Sequence, residues 1–254
     1  MANKKQISNK QKVRTNLPPL TRTVLAFIVP LAAAVFIGIL TGGFNGGTNL
    51  APVLGALGLA SWFVGLAFYG LPGMGLRGGR PLFAGIGFAT LGWVVFIILR
   101  AIFIPINPEP AESARIFIYL LLFEAFAVQL WLFSLLFRSL ADWRGPLTAA
   151  TVSGVLFGAT AVLLFQNVYT AGLLTLIYYS AWGIFYGIIR LRTGSILGMA
   201  LIQAMQSFTA WTALGPLPPD TPAAQLQWVY GLSTALLLLF IWRLWPKEES
   251  DYRL

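Results

Sequence analysis

Apolar runs of similar length recur along the chain and leave it few folds to choose from. They fall at about residues 24–40, 51–71, 82–104, 116–137, 147–165, 171–189, 196–214 and 226–245, parted by short segments of glycine, proline or charge. A helix needs roughly 20 apolar residues to cross a hydrocarbon layer about 30 Å thick. Within that layer each backbone N–H and C=O must find its partner inside the protein, which a helix does by itself. The pattern predicts an all-α polytopic membrane protein, an eight-helix transmembrane bundle. Composition agrees: 57% of residues are hydrophobic and 10% charged, against about 25% charged in a soluble domain.

The runs divide the chain into a basic arm (1–23), a membrane domain (24–245) and a polar tail (246–254). The arm carries Lys4, Lys5, Lys10, Lys12, Arg14 and Arg22 without an acid, and reads as a disordered topology determinant. With the arm in the cytoplasm, 15 of the 17 Lys and Arg residues lie on one side and only Arg100 and Arg115 on the other. That asymmetry is how orientation is written in membrane proteins. Eight spans then bring both termini to the cytoplasmic face of a cell inner or internal membrane. No small-residue cleavage site follows the first run, which is read as a span and not as a removable signal. The net charge of +9 thus belongs to topology, and no nucleic-acid partner is expected. The turn after the second run contains Gly73-x-Gly75-x-x-Gly78. A dinucleotide fingerprint of that form needs a preceding strand and a βαβ unit; between two membrane helices it is a turn, and no nucleotide is expected. Gly154/Gly158 and Gly183/Gly187, each pair one turn apart, permit close helix approach and are read as contacts within one bundle.

The chain contains no cysteine and no histidine. It has no thiolate nucleophile, and it lacks the commonest general base and transition-metal ligand. The richest stretch runs from Glu124 to Ala161, where two apolar runs flank a short basic turn, Arg138 to Arg144, closed by Gly145-Pro146. With Ser134-Leu135-Leu136-Phe137, Ser153, Phe157-Gly158 and Leu191-Arg192-Thr193-Gly194-Ser195, this stretch resembles the CAAX-protease and bacteriocin-processing (CPBP) family of intramembrane metalloproteases. The resemblance covers about residues 124–207. It implies a pattern Glu-Glu-x-x-x-Arg-Gly, a turn ending in Gly-Pro, then Phe-x-x-x-His, and later His-x-x-x-Asn/Asp. Counted from Gly145-Pro146, the paired glutamates fall on Val128 and Gln129 and the arginine on Phe133. The histidines fall on Ala161 and Gln203, and the last position on Ser207. The resemblance also implies a metal held by imidazole and carboxylate, with a glutamate activating water. None of the six positions keeps its required side chain, so no catalytic residue, metal or cofactor is expected. A Ser-His dyad lacks its base, a Ser-Lys dyad lacks a lysine in any span, and Asp142, Asp220 and Asp251 all lie outside the spans.

Glu124 is the only acid within an apolar run, and an ionisable group at membrane depth is a functional candidate by default. The sequence reading is a protonated or hydrogen-bonded glutamate facing the bundle and paired with Arg100, with a ligand or proton-linked role and a partner contact as alternatives. Gln129, Ser153, Gln203, Gln206 and Ser207 are expected to join Glu124 around one polar pocket. That pocket is read first as an interhelical hydrogen-bond network and second as a ligand site. The leading functional reading is a catalytically inactive relative that binds another membrane protein as assembly factor, stabilising subunit or adaptor. Two alternatives stand beside it: a membrane endopeptidase with unrecognised chemistry, and binding or transport of a small molecule or lipid through the pocket.

Overall fold

A computed structural model describes residues 15–42, 50–108, 113–165, 172–218 and 220–253. Eight helical segments fill them: α1 (Pro19–Thr41), α2 (Ala51–Gly73), α3 (Arg80–Phe103), α4 (113–144), α5 (Pro146–Phe165), α6 (Leu173–Thr193), α7 (197–213) and α8 (Ala223–Leu244). Seven are long and apolar enough to cross a membrane. The remaining one, α7, is short and carries Gln203, Gln206 and Ser207. The chain is therefore an integral membrane protein. Most of the basic arm and the 166–170 connector lie outside the described residues.

Local chemistry sets the helix boundaries. Proline sits in the first turn of α1, α2 and α3, where its missing N–H leaves no hydrogen bond unmade. Helix α2 breaks at Gly70, whose φ of 64° no longer follows a helix. Three boundaries differ from the sequence expectation. Helix α1 begins at Pro19 and not near residue 24, so Arg22 is a buried helical residue. The expected turn Arg138–Arg144 is helical, and the chain reverses only at Gly145, at φ 94°. Asp142 accounts for both: its carboxylate accepts from Arg22 Nη1 at 3.0 Å and faces Arg138 Nε at 3.5 Å one turn back. Likewise, α6 continues through Arg190 and Arg192 to Thr193, and Gly194 caps it in the left-handed conformation.

Helices α5 and α6 make the closest pair. A Cβ on Gly154 would run into the backbone of Ile184, one on Gly158 into Ser180, and one on Gly183 or Gly187 into the α5 backbone at Gly154 or Ala150. With no apolar solvent penalty to drive helices together in lipid, such backbone proximity supplies the van der Waals contact that holds them. Helix α8 packs on α6 and α3, α3 on α7, and α1 on α2. At the centre the rings of Tyr178 and Tyr230 stack with centroids 4.6 Å apart, and Phe96 lies 5.4 Å from Tyr178. Such pairs add about 0.5–1.5 kcal/mol each beyond their burial.

One end of the bundle is strongly basic. Arg190, buried on α6, donates through Nε to the Phe133 carbonyl at 3.1 Å and lies against the Phe137 ring. The Gly73–Gly78 turn packs here as well: Ile196 N–H donates to Gly75 O, and Ser195 Oγ to Arg77 O. Burial, with Arg138 nearby, pulls the Arg77 guanidinium below its usual pKa. The tail folds back over the same end, where Arg253 N–H donates to Leu191 O at 2.7 Å.

Candidate functional site

Helix α4 builds the site by departing from regular α geometry. Over Leu120–Phe126 and Leu130–Leu136 its turns are π-helical, with Ala127–Gln129 between them. A wider turn shifts the register of every side chain beyond it, and such turns recur at functional sites. Here α4 presents Glu124 and Val128 to a cavity of about 190 Å³. Phe157, Thr160 and Ala161 of α5, Tyr179 and Trp182 of α6, and Gln203, Gln206, Ser207, Trp211 and Thr212 of α7 complete its walls, with Ile116 and Leu120 at the rim.

Polar side chains on one face of α7, spaced three and four residues apart, each find a partner. Gln203 Oε1 accepts from Gln129 Nε2 at 2.8 Å, Gln206 Nε2 donates to Tyr178 Oη at 2.9 Å, and Ser207 Oγ donates to Glu124 Oε1 at 2.7 Å. The structure thus gathers Glu124, Val128, Ala161, Gln203, Gln206 and Ser207 around one cavity. It does not bring all the expected residues there. Gln129 is fully buried and spent on Gln203, outside the lining. Ser153 lies one turn short of the cavity, whose α5 wall begins with Phe157. Phe133 packs instead on Phe157 and Tyr186, ring centroids 5.9 and 6.0 Å away.

The expected pairing of Glu124 with Arg100 does not occur. Arg100 donates to the carbonyls of Ile104, Pro105 and Gly215, and its guanidinium lies 5.6 Å from the Trp211 ring centroid. These carbonyls at the far end of α3 and beyond α7 give the guanidinium its acceptors, so it turns away from the carboxylate. Trp211, Tyr179 and Trp182 are site residues the sequence reading missed. Aromatics at helical spacing in an apolar run carry no signal that separates a cavity wall from core.

The donor set does not fit the metal that the resemblance implies. Among the described residues no three His, Cys, Asp or Glu side chains converge. The positions in question supply an isopropyl, two amides, a benzyl, a methyl and a hydroxyl. Amides neither neutralise a divalent ion nor take a proton from water at neutral pH.

Residues 90–209 match the family described as type II CAAX prenyl endopeptidase, Rce1-like. The matched segment runs from within α3 into the last turns of α7 and holds most of the cavity wall. No curated protein matches the chain.

Proposed function

Taking as premise that the chain belongs to the CAAX-protease family, matched through residues 90–209, we propose that it is a catalytically inactive member that binds another membrane protein without cleaving it. It would act as an assembly factor, stabilising subunit or adaptor. The observation that carries this reading is the Gln129–Gln203 side-chain pair, two neutral amides bonded to each other at positions where the family pattern has a glutamate and a histidine. Hydrolysis of a peptide bond in this family's manner needs a base that deprotonates water and a metal that polarises the carbonyl. Neither role suits a neutral amide.

Two further features support binding. A protease core without its chemistry keeps a surface shaped for a membrane segment. In addition, a groove of about 310 Å³ between α2 and α4, lined almost wholly by apolar side chains such as Leu59, Trp62, Phe123 and Phe126, faces outward. The gathering of Arg22, Arg77, Arg138 and Arg190 at one end supports an orientation with that end, and both termini, in the cytoplasm.

The test is hydrolysis of a prenylated CAAX peptide by the protein in proteoliposomes, with added divalent metal and with chelator. The reading expects no turnover above protein-free vesicles under either condition. Metal-dependent turnover abolished by chelation would overturn it.

A further inference from the structure

We infer that the cavity between α4, α5, α6 and α7 binds a small organic ammonium ion, with Glu124 as its counter-charge and the Tyr179, Trp182 and Trp211 rings as its walls. This goes beyond the pseudoprotease reading and does not depend on it. Three observations carry it.

The first is an unneutralised acid. Glu124 is 7% exposed at membrane depth. It accepts one hydrogen bond from Ser207 and makes no ion pair with any described residue. A carboxyl so placed either keeps its proton or is ionised with a cation beside it.

The second is the polarity of the rest of the wall. The hydroxyl hydrogens of Thr160 and Ser207 are spent on Leu156 O and Glu124, and an amide hydrogen of Gln206 on Tyr178. Thr160 and Ser207 are left with lone pairs, whereas Gln203 Nε2 keeps both its N–H groups and Gln206 Nε2 keeps one. No Lys or Arg among the described residues lines the cavity, so an anion finds no charge partner there. With one carboxylate and no cluster of metal-ligating side chains among the described residues, a metal ion is poorly served too.

The third is the aromatic surface. Ring faces attract cations, best those of tryptophan, and pockets of this make-up recognise quaternary ammonium groups. Arg100, 5.6 Å from the Trp211 centroid, already uses that ring in this manner from outside the cavity. A volume of about 190 Å³ has room for a choline- or ethanolamine-sized group. The half-buried rim residues Ile116, Leu120 and Thr212 give such a group a way in, whether it comes free or as a phospholipid headgroup.

The experiment is thermal unfolding of the purified, delipidated full chain with choline, with ethanolamine, and with the neutral isostere of choline in which carbon replaces nitrogen. Choline should raise Tm saturably, the isostere should not, and Glu124→Gln should lose the shift. Native mass spectrometry after exchange into phosphatidylcholine or phosphatidylglycerol distinguishes the source. Retained phosphatidylcholine indicates the headgroup; a choline shift without retained lipid indicates a free amine. Equal shifts with choline and its isostere, no shift with either amine, or a full shift in Glu124→Gln would overturn the inference. Should Glu124→Gln fail to fold, the comparison of choline with its isostere on the wild-type chain still decides. None of these failures touches the hydrolysis test above.

Discussion

At the scale of single residues, the amide pair joining α4 to α7 deserves the first mutation. Gln129 and Gln203 hold each other at 2.8 Å, and Gln129 Oε1 has no partner of its own. Removing one amide strands the other in a nonpolar interior, whereas replacing both by leucine removes the demand. Gln203→Leu should therefore destabilise more than the double variant Gln129→Leu/Gln203→Leu. Hydrogen bonds in membrane interiors couple by about 0.6 kcal/mol on average and up to about 1.7 kcal/mol, and a double-mutant cycle of unfolding in detergent measures that number. The participants in this pair were legible in the sequence, because counting from Gly145-Pro146 lands on them. Glu124 was legible for a simpler reason, as the only acid in an apolar run. Its true partner was not. The sequence offered Arg100, and the outcome depends on carbonyls at Ile104, Pro105 and Gly215 that only the fold brings to Arg100. Arg190 was hidden in the same way, counted as a turn residue until α6 proved to extend past it.

At the scale of elements, the α5–α6 contact is where packing is tightest. Gly154→Ala places a methyl against the backbone of Ile184, which cannot move without its helix. Such overpacking costs about 1–3 kcal/mol. Gly87→Ala on α3 meets nothing within 4 Å, so the better helix propensity of alanine should leave stability unchanged or raise it by up to about 1 kcal/mol. Comparing the two by thermal unfolding separates close approach from a general intolerance of glycine replacement. The small-residue spacing that marks this interface was readable in advance. The extent of α4 was not. A charged run after an apolar one looks like a turn, yet Arg138 and Asp142 are also one helical turn apart, and Arg22 from α1 completes the network. The π-turns that set the cavity register leave no local mark, because leucine, phenylalanine and alanine serve α and π geometry alike.

At the scale of the whole molecule, hydropathy period and length were enough to foresee an all-helical membrane bundle. The run expected as a seventh span, α7, is instead too short to be one and is interrupted by polar residues that line the cavity. Orientation is the global property that most needs a direct probe, and the cysteine-free sequence makes one simple. Cysteine placed at exposed Ser250 should react with a membrane-impermeant maleimide only after the cytoplasmic face is opened, whereas one at exposed Asn107 should react in intact cells. The reverse pattern would invert the topology without changing the fold. That this chain holds a partner and does not cut it is tested by mild-detergent capture of the tagged full chain followed by native mass spectrometry. One intact membrane protein should be retained in fixed stoichiometry. A chain recovered alone, or with fragments of a membrane protein cleaved at a defined site, would contradict it.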